Sequence, residues 1–196
     1  MKMNTDSAKK SCERAPLAEV YSFLALCMRY PDSNFIDNDF FAVLENLLDA
    51  LQLSDENNAI RTWRTQDSHI LEILQTEYTK LFINAAPHLI APPYGSYYLD
   101  GDYSLQGKST EKTRDFYRQY SYDITKTSEP ADHIRIELEF LAALAHDNQA
   151  EAEDAFLRLI FRPWFNRFYK RIMQHDIHPF YKVSVQLIDI FTKEEQ

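Results

Sequence analysis

Apolar residues recur at three- and four-residue intervals along most of this chain, the spacing that puts them on one face of an α-helix. Pro16 is placed to open the first such stretch, in which Leu17, Val20, Tyr21, Leu24 and Met28 form a stripe that ends before Pro31. Asp37 can cap a second helix, with Phe40, Phe41, Leu44, Leu47, Leu48 and Leu51 on its buried side. Ser54 can cap a third that carries Ile60 and Trp63. Asp67 or Ser68 can start a stretch with Ile70, Leu71, Leu74, Tyr78, Leu81 and Phe82, and the pattern does not separate one bent helix from two. After a break, Ser109 or Thr110 caps a helix with Phe116, Tyr117 and Tyr120 on one side. Phe156, Leu159, Ile160, Trp164, Phe168 and Ile172 keep helical spacing through Pro163, whose ring is expected to kink or divide that helix. Pro179 begins the last helix, with Phe180, Val183, Leu187 and Ile190 in register. No internal repeat occurs, and no alternating run is long enough for a sheet. The predicted fold class is all-α, in one domain over residues 1–196 whose first fifteen residues are a flexible polar tail.

One stretch organises the rest: Ser128 to Phe140, where Pro130 marks a helix start and Ile134, Leu138, Leu141 and Ala145 recur on one face. Ile136, Phe140, Ala143 and Leu144 fill much of the other side, so this helix is expected to be buried on most faces. Asp132 falls in the predicted first turn, where the positive end of the helix dipole favours a carboxylate, and His133 stands beside it. Both are expected at the exposed end of the helix, on a rigid element suited to a recognition site. The same residues also suit a plain helix start and an ordinary surface histidine.

The helical pattern breaks at 84–107, which holds Pro87, Pro92, Pro93 and all three glycines, Gly95, Gly101 and Gly107. Tyr94, Tyr97, Tyr98 and Tyr103 bring four rings into this loop, and Ser96 to Leu99 is compatible with an extended strand. Aromatic rings on a loop supply rigid amphipathic contact area, so as a group they point to peptide binding.

Composition narrows the classes. A hydrophobic content of 45% with 14% aromatics excludes global disorder. The formal charge of −9 argues against a general nucleic-acid binder and favours a basic partner. Cys12 and Cys27 form no CxxC pair and suggest a reducing compartment. The N-terminal stretch lacks an apolar signal core, and no segment reaches the roughly 18 apolar residues of a membrane span. A cytoplasmic protein without membrane insertion is expected.

Candidate chemistry is weaker. Gly107-Lys-Ser-Thr110 looks like the end of a phosphate loop, but five residues separate Gly101 from Gly107 where that loop needs four, and the βαβ surroundings are missing. His133 and Glu137 lie one helical turn apart, and His146, His175 and His178 add imidazoles, so a metal-dependent hydrolase is conceivable. No His-Glu-x-x-His pattern supports it, and no Gly-x-Ser-x-Gly elbow offers a nucleophile. A binding role fits better: a carboxylate engages an arginine fork through two hydrogen bonds, and an apolar peptide segment lies against aromatic and aliphatic groups. Asp132 leads as the carboxylate, with Asp100, Asp102, Glu129 and Glu137 behind it.

These residues also carry a family resemblance. Glu129-Pro-x-Asp-His133 followed by Glu-Leu-Glu-Phe-Leu, and Ala-Pro-Pro-Tyr-Gly-Ser-Tyr-Tyr-Leu-Asp100, resemble the two signatures of the TorD/DmsD family of molybdoenzyme maturation chaperones. Glu77-Tyr-x-x-Leu-Phe82, Gly107-x-Ser-Thr, Trp164 and Pro179-Phe-Tyr181 support the match, which covers nearly the whole chain. The resemblance implies an all-helical bundle of the TorD/DmsD type with no enzymatic activity and no cofactor or metal of its own. It implies binding of the twin-arginine leader of a molybdopterin oxidoreductase in its apo form, holding it back from export until the cofactor is inserted. The export machinery is a further candidate partner. By the same resemblance the leader-binding residues are Pro93, Tyr94, Gly95, Ser96, Tyr98, Gly107, Pro130, Asp132 and His133. Tyr94 and Tyr98 stand where DmsD-like loops have tryptophan, and Ala131 where the signature is often acidic. A structural subunit that binds a folded partner, or the hydrolase built on His133 and Glu137, are the alternative functions.

Overall fold

The computed structural model describes residues 5–83, 90–101, 105–122, 124 and 129–193, and Asp102, Tyr103 and Ser128 lie outside them. Among the described residues the regular elements are helical, and the one backbone bridge of β type joins Tyr94 to His133. The chain divides into two compact units. Unit 1 comprises residues 1–29, 93–170 and 188–196, and unit 2 comprises residues 30–92 and 171–187.

In unit 2, α2 (Asn38–Ala50) starts at Asp37, whose carboxylate accepts from the Phe40 N–H at 2.8 Å as predicted. α3 (Ser54–Gln66) and α4 (Ile70–Tyr78) are separate helices, because Asp67 is extended and ends the first of them. A π-helical turn, π1 (Thr79–Ile83), prolongs α4. The interior is aromatic: Phe40 and Phe41 meet Phe180, Phe41 meets Trp63, and Tyr78 and Phe82 meet Tyr181. The Tyr181 hydroxyl donates to the Leu74 carbonyl at 2.8 Å. This stripe of large apolar residues at helical spacing is what the sequence pattern predicted.

In unit 1, α1 (Thr5–Cys27) packs against α7 (Ile134–His146). Pro16 lies inside α1 instead of opening it. Its ring fixes a helical φ, so the helix runs through at the loss of one hydrogen bond. Tyr21 anchors the helix through its hydroxyl, whose one hydrogen is shared between the Glu153 carboxylate and the Phe191 carbonyl, each at 3.1 Å. The predicted burial of α7 holds: Ile134, Ile136, Leu138, Phe140, Leu141 and Leu144 are all in the core. Asn148, at φ 56°, turns the chain after α7, and the Gln149 N–H closes on the Leu144 carbonyl at 2.8 Å.

Two further features of unit 1 position its polar interior. Gly95 to Leu99 is a short helix, α5, where the sequence also allowed Ser96 to Leu99 to be extended. Residues 150–173 divide into α8 (Ala150–Phe156), the π-helical turn π2 (Leu157–Phe161) and α9 (Arg162–Met173), so the break expected from Pro163 occurs just ahead of it. Pro163 has no N–H to give the Leu159 carbonyl, and the Lys112 ammonium of α6 (Lys108–Gln119) donates to that carbonyl at 3.0 Å instead.

Candidate functional site

The two signature stretches meet inside unit 1. The Gly95 N–H donates to the Asp132 carbonyl and the Ile134 N–H to the Pro93 carbonyl, both at 2.9 Å. This clamps the loop to the turn that precedes α7. The Asp132 carboxylate then accepts from the Ser96 N–H at 2.7 Å, meeting a free donor in the first turn of α5. Helix α7 starts at Ile134, four residues later than Pro130 suggested, because the His133 ring nitrogen Nδ1 accepts from the Arg135 N–H at 3.1 Å and so acts as the cap. Pro130 to Asp132 form a turn held by Tyr117, whose hydroxyl donates to the Ala131 carbonyl at 2.9 Å.

This geometry corrects one expectation. Asp132 and His133 are not at an exposed helix end; they are 0% and 2% exposed. Burial and the nearby Arg135 charge hold the His133 imidazole down to about 3, so it is neutral at physiological pH. With Nδ1 accepting, the proton sits on Nε2. A hydrolase built on His133 and Glu137 loses its geometry, since the Nδ1 lone pair is already engaged.

The other predicted residues fall into place around this clamp. Pro93, Gly95 and Ser96 are buried, and Pro130 is half-buried. Tyr94 is half-buried, its ring edge-on to His133 at 5.0 Å and its hydroxyl donating to Glu129 at 3.2 Å. Burial and the Glu129 charge push the Tyr94 phenol up, so it stays a donor. Tyr98 stacks on Trp164 at 5.9 Å, and Arg167 donates to its carbonyl. A side chain at Gly95 would press on the Trp164 ring at 3.1 Å, which explains the glycine.

Gly107 has a different task. The Asp100 carboxylate accepts from the Ser109 N–H at 2.9 Å and from its hydroxyl, capping α6 from across the loop. A Cβ at Gly107 would collide with that carboxylate. The anion position that Gly107-Lys-Ser-Thr110 suggested is therefore filled by the chain's own Asp100.

Glu137 was ranked low and proves central. It is 0% exposed, and the Trp164 indole N–H donates to its Oε2 at 2.9 Å. Burial and the charge of Asp132 raise its carboxyl well above 4.5 against the opposing pull of that hydrogen bond. Asp132 Oδ1 and Glu137 Oε1 have no hydrogen-bond partner among the described residues. Both acids line a cavity of about 60 Å³ together with Gly95, Ser109, Lys112 and Trp164. The sequence did contain a signal for Glu137, a carboxylate flanked by Ile134, Ile136, Leu138 and Leu141 in a helix buried on most faces. Nothing local marked Trp164 as its partner 27 residues on.

The helical fold that carries this clamp of a Pro-Pro-Tyr-Gly-Ser loop on a Glu-Pro-x-Asp-His turn is shared with a solved redox-enzyme maturation protein. A crystal structure from Archaeoglobus fulgidus, assigned as a redox enzyme maturation protein, matches with a TM-score of 0.59 and 26% identity over 90% of this chain and 94% of that one. The family model described as nitrate reductase delta subunit matches residues 34–170, and the chain belongs to this family, the one that holds the TorD and DmsD chaperones. Among its relatives are the chaperone protein TorD of Aliivibrio fischeri, 31% identical over 76% of each chain, and that of Vibrio vulnificus, 28% identical over 60% of each. The probable Tat proofreading chaperone DmsD of Haemophilus influenzae is 33% identical over 61% of this chain and 58% of its own. The chain thus spans about 60% of the length of the Vibrio relative. These relatives carry the names of chaperones, not of enzymes.

Proposed function

We propose that this protein is a client-specific maturation chaperone. It binds the twin-arginine leader of a molybdopterin oxidoreductase in the cytoplasm and holds the client back from export until cofactor insertion and folding are complete. The observation that carries this reading is the joining of the two signature stretches, 93–100 and 129–133, into one clamp whose interior keeps two buried acids. The names of the relatives support it, two of them chaperones and one a Tat proofreading chaperone. The acidic chain suits a basic ligand.

Within this reading the nine signature residues divide by exposure. Pro93, Gly95, Ser96, Asp132 and His133 shape the site from inside, whereas Tyr94, Tyr98, Gly107 and Pro130 retain surface that a leader can touch. Calorimetric titration with leader peptides of the host's molybdoenzymes, and with versions whose arginines are replaced by glutamine, tests the proposal. Saturable binding that depends on the arginines is expected. Absence of binding to every leader overturns it.

A further inference from the structure

Burying a carboxylate without a partner is costly, and unit 1 does so twice at one cavity. Asp132 and Glu137 each keep one oxygen unpartnered among the described residues, although the rest of each carboxyl group is engaged. A cavity of about 60 Å³ exceeds what a single water needs, ~10–15 Å³. Its wall includes the Trp164 indole. We propose that this cavity is a receptor for one guanidinium group, the side chain of a leader arginine, and that the leader's apolar segment lies in the adjoining groove between α6 and π2. The inference rests on the leader-binding reading above and names its subsite.

Three observations favour this occupant. A guanidinium presents a planar fork of donors that can reach acceptors on two separate acids while its face lies on an aromatic ring. An ammonium is already at hand in Lys112, yet it donates to the Leu159 carbonyl. The groove of about 460 Å³ along α6 and π2 shares Lys112, Leu159 and Ile160 with the cavity, so the two adjoin. Phe116 adds an aromatic ring to the groove, and Leu159 stands 45% exposed beside it.

Glu137→Gln keeps an acceptor for the Trp164 N–H and removes the ionisable group, and Leu159→Glu alters an exposed position. Leader peptides bearing arginine or lysine pairs are titrated into the wild type and both variants by calorimetry. In parallel, methylguanidinium is titrated while the indole N–H resonances of Trp164 and Trp63 are followed by NMR. The wild type should prefer arginine over lysine by about tenfold or more, the preference expected of a desolvated charge-assisted fork. Glu137→Gln should lose that preference, and Leu159→Glu should weaken both peptides. Methylguanidinium should shift Trp164 saturably in the wild type and not in Glu137→Gln, with Trp63 unmoved. Undiminished arginine preference in Glu137→Gln, or an unmoved Trp164 resonance in the wild type, overturns the receptor. If no leader binds at all, the chaperone reading fails separately, and the methylguanidinium titration alone decides the cavity.

Discussion

The two tryptophans of this chain, one in each unit, do different things. Trp63 packs edge-on against Phe41 at 5.9 Å and His178 at 4.4 Å, and its N–H has no partner among the described residues. Trp164 is 1% exposed, stacks on Tyr98, and donates its N–H to the buried Glu137. The first fills space in an aromatic interior. The second fixes an acid that the apolar core of α7 would otherwise exclude. Buried polar groups that nothing in the packing demands are where a fold departs from its own stability rules, and here they gather in unit 1.

That contrast can be broken by mutation. Trp164→Phe shrinks a buried bicyclic ring, deletes its N–H and leaves Glu137 Oε2 unpaired, so it should destabilise by about 2–4 kcal/mol in denaturant titration. The pH profile should show the same acid. Between about 3 and 6.5 the unfolded chain binds a proton that folded His133 refuses, so stability is lost as pH falls through that window. His178, also lowered by burial, adds to this acid limb. Above 4.5 folded Glu137 retains a proton that the unfolded chain has released, so stability is lost as pH rises towards its raised value. Above 4.5 the Glu137 slope opposes that of His133. It should reach at most about 1.4 kcal/mol per pH unit and disappear in Glu137→Gln, as followed by melting at several pH values.

Smaller effects test the loop and the control tryptophan. Gly107→Ala forces Asp100 away from Ser109 and should cost about 1–2 kcal/mol, the usual loss of a helix cap, measured as a shift in the urea midpoint. Gly95 meets a ring instead of a carboxylate, so its replacement would strain Trp164 rather than uncap a helix. Trp63→Phe should be the mildest, below about 1.5 kcal/mol, because it keeps a ring in an aromatic pocket and deletes an unpaired N–H. An effect as large as that of Trp164→Phe would erase the distinction between the two units.

Much of the fold was legible residue by residue. The helical spacing of Phe40, Phe41, Leu44 and Leu48, the Asp37 cap and the burial of α7 on most faces follow from local pattern alone. The start of α7 did not, because Pro130 suits either a helix's first turn or the turn before it, and the choice was made by Tyr117 and Pro93, distant in sequence. The helical form of residues 95–99 was hidden for a related reason. Five residues with a glycine and two tyrosines have little preference of their own, and the Asp132 carboxylate supplies the missing acceptor.

The sequence by itself determined that this is an all-helical protein of the TorD/DmsD kind and which residues, Asp132 and His133 among them, cluster at its signatures. Periodicity, prolines and glycines act over a few residues, and short motifs are read in one dimension. Only the tertiary structure decided that those two residues are buried, that Glu137 shares a cavity with Asp132, and that Trp164 holds it. Burial and the pairing of an acid with a donor depend on contacts between residues far apart in the chain, and no local pattern encodes them.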